Sequence, residues 1–442
     1  MRPRLSPPRV VLLSFAAAIL VGSLVLMLPG MTSDPASFRY IDALFTATSA
    51  VCVTGLVTVD TATVFTPLGK AVIAVLIQIG GLGIMTGATV LFVLTGRRIG
   101  LQRRLVVQET LGHVRLSGIV RLVLAVLAMT AAFESVGAAV LAAQFALRYD
   151  YPVAKAVGYG AFHAVSAFNN AGFALFSDNL EGFRTDWVVS LTVALLIIFG
   201  GLGFPVILEV VRRRRDSRHA SLQAKIVLSV TAGLLAFGTL GFLLVEWDGT
   251  AMAGLTGPQR VLAAFFQAVT PRTAGFNTVS MAAVDQATVF IMIFLMFVGA
   301  SPESTGGGIK TTTFGVILAS IWATARGKTD VEAFSRRIGQ QQVFKALTVL
   351  SFSSAFVFVM TVLLLATGRS IGVTEGLFEV ISAFGTVGLS LGLTPALTTV
   401  GKVLIILTMY TGRVGPVTLG VALAARQRAG RVTLPEEQLP LG

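Results

Sequence analysis

The segment FEVISAFGTVGLS, residues 378–390, contains a helix break in the middle of an apolar run, and this break decides the fold. Residues 378–384 can form a short helix, but the GTVG motif at 385–388 interrupts it among residues too apolar for a surface loop. Backbone without helical hydrogen bonds is tolerated at membrane depth only where it is buried in protein or lines a water-filled cavity. The segment therefore predicts an irregular strand held inside a membrane protein.

The composition supports a membrane location. Hydrophobic residues make up 54% of the 442 residues, charged residues only 12%, and the mean hydropathy is +0.83. A helix needs about 20 apolar residues to cross the hydrocarbon core of a bilayer. Eight stretches approach or exceed this length, at 10–29, 69–95, 118–146, 187–211, 225–245, 288–323, 344–367 and 401–425. We therefore predict an all-α polytopic membrane protein with eight transmembrane helices and no soluble domain.

The broken segment occurs four times. In each copy a phenylalanine stands ten residues before a glycine, as in FTATSAVCVTGL from 45, FHAVSAFNNAGF from 162, FFQAVTPRTAGF from 265 and FEVISAFGTVGL from 378. The closing glycines, Gly55, Gly172, Gly275 and Gly388, are 117, 103 and 113 residues apart. Each segment lies between an odd-numbered and an even-numbered apolar stretch. The chain thus reads as four parallel repeats of span, pore helix, filter strand and span, at 1–104, 105–222, 223–340 and 341–442.

Four such repeats around an axis normal to the membrane, with pseudo-fourfold symmetry, would bring four glycine strands to one point. The carboxyl end of each short helix carries roughly half a negative charge, which favours a cation there. A ring of backbone carbonyls can replace the hydration shell of a monovalent cation. The alternative, four re-entrant loops that only pack, is disfavoured by their matched positions. The predicted filter residues are Val53, Thr54, Gly55, Asn170, Ala171, Gly172, Thr273, Ala274, Gly275, Thr386, Val387 and Gly388.

The four segments, together with GASPESTGGGIKTTT at 299–313 and YTGRVGP at 410–416, resemble the Trk/Ktr/HKT superfamily of potassium transporters. The similarity covers almost the whole chain, and the bacterial Ktr-type (KtrB-like) membrane subunit is nearest in length. The resemblance implies a potassium pore that works as a homodimer on a cytosolic ring of nucleotide-binding regulatory subunits (KtrA/TrkA-like RCK subunits). In this superfamily, serine at the first filter glycine accompanies sodium preference. All four positions are glycine here, which favours potassium over sodium as the substrate.

The sixth apolar stretch is interrupted at 299–313, where Pro302 and the glycine run 306–308 cannot continue a stable helix. A phosphate-binding loop is excluded because Ile309 separates the last glycine from the lysine. The resemblance implies an intramembrane loop below the filter that gates permeation, although a kink without function stays open. Glu303 stands where the family usually has a small residue. The predicted gate residues are Gly306, Gly307, Gly308, Lys310 and Arg413.

Three charged residues fall at membrane depth, and an intramembrane charge is a functional hypothesis by default. Arg413 lies 25 residues after Gly388, and we expect it to repel cations below the filter. A helix-bracing salt bridge is the alternative role for this arginine. Glu134 is expected to brace the second repeat, and Arg272 to turn outward or to bind backbone carbonyls.

The charge distribution predicts the topology. Acidic residues dominate the loops after odd-numbered stretches. The basic clusters follow even-numbered ones, at 97–104, 212–218, 326–337 and 426–431. The positive-inside rule then places these clusters and both termini in the cytoplasm, in a multi-pass protein of the inner membrane. The loops 212–218 and 326–337 are predicted to dock the cytosolic ring, and anionic membrane lipid is a further contact. The clustering argues against a nucleic-acid partner.

Potassium uptake is therefore the leading function. An enzyme is disfavoured because the three histidines are far apart and no HExxH pair occurs, and we expect no covalently bound cofactor. Nucleotide would act only through a partner, because no stretch outside the membrane is long enough for a nucleotide-binding domain. The alternative is a carrier coupled to sodium or protons. The parallel repeats argue against a midplane site between inverted repeats, but coupling stays open.

Overall fold

The computed structural model describes residues 7–83, 119–212, 220–368 and 371–415. These residues are mainly helical, as predicted, with one addition: β1 (Val331–Ala333) and β2 (Arg336–Ile338) form an antiparallel hairpin. Single turns of 3-10 helix occur at Glu181–Phe183, Thr250–Met252, Met281–Ala283 and Thr394–Ala396. The α-helices are α1 Pro7–Leu26, α2 Tyr40–Cys52, α3 Thr61–Val64, α4 Pro67–Leu82, α5 Ile119–Arg148, α6 Val153–Phe168, α7 Trp187–Leu202, α8 Phe204–Arg212, α9 Leu222–Glu246, α10 Gly257–Val269, α11 Gln286–Phe297, α12 Thr311–Ala325, α13 Gln340–Ala366, α14 Val373–Gly385 and α15 Thr399–Val414.

Four helices in the described ranges are long and apolar enough to cross a membrane: α1, α5, α9 and α13. Each is followed by a shorter helix that ends beside one of the repeated glycines, and we call these four (α2, α6, α10 and α14) the pore helices. The pore helices are buried toward the ends that lie beside the glycines, and Phe45, Phe168, Phe266 and Phe378 lie fully inside. The long helices instead expose apolar side chains such as Leu24, Leu244 and Phe358 to the surroundings. Buried pore helices inside a lipid-facing apolar shell are the architecture of a polytopic membrane protein.

Each glycine strand leads to a further helix, α4, α7, α11 or α15, which we call a second helix. A long helix, its pore helix and its second helix together form one set. Each second helix starts at a side-chain cap. Ser, Thr, Asp and Asn favour this position because their oxygen accepts an otherwise unpaired backbone N–H. The caps of α4, α7, α11 and α15 are respectively Thr66, Asp186, Asp285 and Thr398. The repeated sequence pattern therefore sets the start of all four second helices in the same way.

These second helices are shorter or more broken than the sequence suggests. The predicted span at 187–211 consists of two helices, because α7 and α8 meet at Gly203 with a bend of 101°. The predicted break at 299–313 overlaps the gap of residues 298–310 between α11 and α12, whereas residues 311–313 belong to α12. Counting the bent pair as one span gives at most five spanning helices by length and composition among the described residues. Residues 84–95 and 416–425 of two predicted spans lie outside the described ranges.

Glycine explains where three of these second helices end. Gly83, Gly203 and Gly415 follow the last helical residue with φ of 78°, 87° and 93°. Residues with a Cβ rarely adopt positive φ, whereas glycine does so readily. The chain therefore leaves the helical path at the same place in the first, second and fourth sets.

A second glycine, three residues earlier, lets each of these helices approach its pore helix. A Cβ built on Gly80, Gly200 or Gly412 would lie only 1.9–2.1 Å from a carbonyl oxygen of the pore helix. The three oxygens occupy one position, four residues before the repeated glycine, on Val51, Phe168 and Phe384 respectively. The GGLG motifs at 80–83 and 200–203 thus serve close backbone packing, as expected from the sequence.

Candidate functional site

The four repeated glycines form a closed ring. Each faces the carbonyl oxygen of the residue that precedes the glycine of the next strand, so the order around the ring follows the chain and the fourth strand contacts the first. A Cβ built on each glycine would lie between 2.1 and 2.7 Å from that oxygen, the pairs being Gly55 with Ala171, Gly172 with Ala274, Gly275 with Val387 and Gly388 with Thr54. The structure therefore brings all four predicted filter strands to one point.

The backbone of all four strands has the same unusual conformation. The residue two positions before each glycine has positive φ, although none of the four is a glycine: Val53 (56°), Asn170 (58°), Thr273 (73°) and Thr386 (51°). The glycines themselves have φ between 71° and 95°. A left-handed residue with a Cβ costs roughly 1–3 kcal/mol and tends to occur at functional sites. Four such residues in matched positions indicate one shared structural requirement.

A hydroxyl residue at the end of each pore helix holds its strand, and sequence reasoning missed these residues. The carbonyls of Ser49, Ser166 and Ser382 accept the N–H of the residue before the glycine at 2.7–2.8 Å. In the third strand Thr270 does so at 3.0 Å. All four side chains are fully buried. The signal was present in the sequence, because serine stands six residues before the glycine in three of the four segments.

The loop 298–310 lies directly against the ring. A parallel bridge between Val298 and Ile309 closes the base of this loop. A Cβ on Gly306 would lie 2.2 Å from Thr273 Oγ1, and the Gly307 N–H donates to Thr386 Oγ1 at 2.9 Å. Two predicted gate glycines therefore touch the left-handed residues of the third and fourth strands, and only glycine fits there.

The same loop is anchored to the bent helix pair of the second set. The N–H groups of Ser301 and Thr305 donate to the carbonyls of Gly201 and Gly200 at 3.0 and 3.2 Å. Glu303, whose φ is 58°, accepts from the Phe204 N–H at 3.1 Å through its carbonyl. The Glu303 side chain lines a cavity of about 470 Å³ that Lys345 also lines. The end of α7 and the start of α8, on either side of the bend at Gly203, thus form the surface that the loop contacts.

Two cationic side chains bind carbonyls of the loop. The Arg413 guanidinium donates to the carbonyls of Thr305 and Gly80, and so joins α15 to the loop and to the end of α4. The Lys310 ammonium donates to the Gly306 carbonyl at 2.8 Å. Within the described ranges Arg413 contacts carbonyls and has no carboxylate partner. This arginine braces the elements through carbonyls instead.

The other two charges at membrane depth are also paired with the protein. Arg272 is buried and donates to the Gly299 carbonyl at 3.1 Å, which is one of its two expected orientations. Glu134 accepts from Asn169 Nδ2 at 2.9 Å and from Gln78 Nε2 at 3.3 Å. Glu134 therefore ties α5 to the second pore helix, as expected, and also to α4 of the first set.

A cavity of about 500 Å³, which we call the vestibule, lies on the side of the ring opposite the loop. All four ring glycines line it, together with Asp60, Asp178 and Glu181. Among the described residues that line the vestibule, none is basic. Burial, and then the nearby charge of Asp178, raises the pKa of Glu181, while a hydrogen bond from Asn277 at 2.8 Å opposes the shift. The described lining of the vestibule thus carries acidic side chains beside the ring and no basic ones.

Known proteins resemble this chain over almost its full length. Residues 14–430 match the model of the TrkH family, described as cation transport protein. The Ktr system potassium uptake protein B of Bacillus subtilis (strain 168) is 41% identical over 427 residues, covering 96% of this chain and 95% of that protein. The potassium/sodium uptake protein NtpJ of Enterococcus hirae is 40% identical over 447 residues, covering 100% and 98%.

A solved structure shares the fold. The crystal structure of the potassium transporter TrkH from Vibrio parahaemolyticus matches with a TM-score of 0.75 and 18% sequence identity. The match covers 96% of this chain and 86% of that chain. The resemblance to potassium transporters noted from the sequence is confirmed by these matches. From the family match and the sequence identity, the chain belongs to the TrkH family of cation transport proteins, a family of transporters and not of enzymes.

Proposed function

We propose that the protein takes up potassium across the bacterial cytoplasmic membrane through the ring of four glycine strands. The observation that carries this proposal is the closed ring itself, in which each glycine faces a backbone carbonyl of the next strand. Such carbonyls can replace the water around a monovalent cation, and four pore helices direct the negative ends of their dipoles toward it. The similarity to relatives such as the Ktr system potassium uptake protein B of Bacillus subtilis supports potassium as the ion.

In this proposal the filter consists of the twelve predicted residues, which are the four ring glycines and the two residues before each of them. Each of the repeats 1–104, 105–222, 223–340 and 341–442 contributes one strand. Their backbone carbonyls, and not their side chains, coordinate the ion. Every non-glycine member is fully buried, and the groups that face the ring glycines are backbone carbonyl oxygens of these residues. Glycine at all four ring positions favours potassium over sodium, because an added side chain would meet the neighbouring carbonyl.

The loop 298–310 is the gate in this proposal, with Gly306, Gly307, Gly308, Lys310 and Arg413 as its working parts. Its contact with Thr273 and Thr386 supports a barrier directly below the filter. The charges of Lys310 and Arg413, which bind loop carbonyls, disfavour a cation resting there. Opening then requires the loop to leave the two threonines and to break these carbonyl bonds.

A homodimer on a cytosolic nucleotide-binding ring of the KtrA/TrkA type is the proposed assembly, with both termini and the basic loops in the cytoplasm. The word "system" in the names of the Ktr relatives supports a transporter with more than one component. The hairpin β1–β2 carries the exposed bases Arg336 and Arg337, and we propose it as one docking surface for the ring, near anionic lipid. The clusters at 97–104, 213–218 and 426–431 lie outside the described residues.

The test is potassium-dependent growth and uptake in a cell that lacks its own potassium importers, with the wild type, Gly388→Ser and Gly158→Ser compared. The control, Gly158, lies on a pore helix, and a Cβ added there would have nothing within 4 Å. We expect the wild type and Gly158→Ser to restore uptake and Gly388→Ser to lose it or to admit sodium. Equal uptake by all three would contradict the filter.

The second candidate is a carrier coupled to sodium or protons, and the similarity to NtpJ, a potassium/sodium uptake protein, favours sodium as the coupling ion. Proteoliposomes containing the purified protein distinguish the two functions. A pore gives potassium flux that follows the potassium gradient alone. A carrier gives potassium flux that changes in proportion when a sodium or proton gradient is imposed.

A further inference from the structure

The hydroxyls at the ends of the four pore helices make two different kinds of hydrogen bond. In the first and fourth strands the hydroxyl accepts from the ring glycine: Ser49 from the Gly55 N–H at 3.0 Å and Ser382 from the Gly388 N–H at 3.1 Å. In the second and third strands it donates to the carbonyl one residue beyond the glycine. Ser166 donates to Phe173 at 2.8 Å and Thr270 donates to Phe276 at 2.5 Å.

The bond to the glycine N–H has a geometric consequence for the ring. The N–H and C=O of one trans peptide unit lie in one plane and point in opposite directions. The Gly55 N–H shares its peptide unit with the Thr54 carbonyl, whose oxygen faces Gly388 in the ring. The hydroxyl of Ser49 holds this N–H toward the pore helix and therefore holds the carbonyl toward the ring.

The fourth strand repeats this arrangement. The Gly388 N–H shares its peptide unit with the Val387 carbonyl, whose oxygen faces Gly275. Ser382 therefore aims this carbonyl as Ser49 aims that of Thr54. Each unit lies between a glycine and another residue, and glycine tolerates both signs of φ, so the unit can rotate once its N–H is released.

The second strand lacks this restraint on its ring carbonyl, and in the third strand the Gly275 N–H donates to the Thr270 carbonyl at 3.4 Å instead of to a hydroxyl. Their hydroxyls hold Phe173 and Phe276, which lie one residue beyond the glycines on the vestibule side. Removing the hydroxyl of Ser166 therefore deletes a buried bond of similar length without releasing a ring carbonyl. The chain thus contains its own matched control at the same position of the repeat.

We propose that Ser49 and Ser382 are positioning residues for ion selectivity, which aim two of the four ring carbonyls through the glycine N–H groups. This inference rests on the proposed function of the ring as a potassium filter. Without the hydroxyl the peptide unit turns, the ring loses one carbonyl, and a cation that needs fewer or closer ligands competes better with potassium. Selectivity changes while the path itself stays open.

The test measures the potassium-to-sodium permeability ratio of full-length protein in proteoliposomes for Ser49→Ala, Ser382→Ala and Ser166→Ala. We expect each of the first two to lower the ratio by about fivefold, the equivalent of one net hydrogen bond. We expect Ser166→Ala to leave the ratio within about twofold of the wild type. Elution as a single species in detergent shows that each variant is folded.

Two further variants distinguish an effect of the hydroxyl from an effect of packing. They also distinguish failure of this inference from failure of the filter proposal. Ser382→Thr retains a hydroxyl, and we expect it to keep most of the wild-type ratio. Equal ratios for Ser49→Ala, Ser382→Ala and Ser166→Ala would overturn the inference, as would Ser382→Thr behaving like Ser382→Ala. If Gly388→Ser lowers the ratio and Ser49→Ala does not, only the inference fails. If Gly388→Ser also leaves the ratio unchanged, the filter proposal fails with it.

Discussion

At the scale of single residues, the protein depends on glycines that bring backbone against backbone. The ring glycines meet carbonyls of neighbouring strands, and the glycines of the second helices meet carbonyls of the pore helices. These positions are constrained for different reasons: the ring glycines have positive φ, whereas Gly200 is an ordinary helical residue that lacks room for a side chain.

Gly200 provides a prediction about stability. In Gly200→Ala the Cβ would lie 1.9 Å from the Phe168 carbonyl oxygen, so α7 must move away from the pore helix. Overpacking of this kind costs roughly 1–3 kcal/mol. We expect a lower midpoint of thermal unfolding in detergent.

The control for this prediction is Gly233→Ala, on α9, where nothing lies within 4 Å of the added carbon. Alanine in a helix interior is favoured over glycine by about 0.5–1 kcal/mol, so this variant should unfold at the same or a higher temperature. A Gly200→Ala variant as stable as Gly233→Ala would contradict the close contact.

At the scale of elements, the four sets of helices are alike where they begin and differ after the ring glycines. In the first and fourth sets the described part of the second helix ends at a glycine, in the second the helix bends by 101°, and in the third it opens into the loop 298–310. The bend and the loop belong together, because the loop donates hydrogen bonds to Gly200 and Gly201 at the end of α7. Arg413 adds the fourth set to this assembly.

Arg413 provides a prediction about flux. A unit charge about 10 Å from a potassium ion at an effective dielectric constant near 20 raises the energy of that ion by roughly 1.7 kcal/mol. In Arg413→Gln both this repulsion and the bonds to Thr305 and Gly80 are lost or weakened. We expect potassium flux in proteoliposomes to rise about tenfold.

Arg413→Lys separates the two contributions. Lysine keeps the charge but is a single ammonium without the planar fork of arginine, so it does not hold two carbonyls in the same way. Flux close to the wild type in this variant would assign the barrier to charge, and flux close to Arg413→Gln would assign it to the bonds. Unchanged flux in both variants would remove Arg413 from the gate.

At the scale of the whole molecule, the first and fourth sets must meet to close the ring, although they lie at opposite ends of the chain. Lys402 on α15 forms an ion pair with Asp42 on the first pore helix, with 2.6 Å between Nζ and Oδ1. Thr58, which follows the first filter strand, donates to the same carboxylate oxygen at 2.8 Å. The tyrosine hydroxyl of Tyr410 donates to the Leu12 carbonyl at 2.7 Å. These contacts fasten the fourth set to the first.

The vestibule provides a prediction at this scale. Fixed negative charge in a cleft raises the local concentration of cations, and salt screens the effect. In Glu181→Gln we expect potassium uptake to fall by about twofold at low ionic strength and to match the wild type at about 1 M salt, where the screening length is near 3 Å. The potassium-to-sodium ratio should not change.

The pH dependence of the same group has a definite sign. Because burial and Asp178 raise the pKa of Glu181, this carboxyl takes up a proton at a higher pH than an exposed glutamate as the pH falls. Uptake at low ionic strength should therefore decline on mild acidification in the wild type and much less in Glu181→Gln. An identical decline in both would contradict a role for this charge.

The sequence alone predicted the class of the protein, the four repeats and the twelve strand residues that meet at the ring. It did so because these features depend on local chemistry: apolar length determines a span, and glycine at a fixed spacing permits positive φ and close backbone contact. The serine residues of the pore helices were equally visible in the pattern. Their two kinds of hydrogen bond were not, because the same residue at the same position bonds differently in different strands.

Only the tertiary structure decided the contacts between residues far apart in the chain. The order of strands in the ring, the hydrogen bonds of the loop 298–310 with α7 and Thr386, and the carbonyl partners of Arg413 all join different repeats. The physical reason is that a helix or a turn is determined by neighbours in sequence. A ring is closed by packing between segments more than 100 residues apart, and a local pattern contains no information on which of them meet.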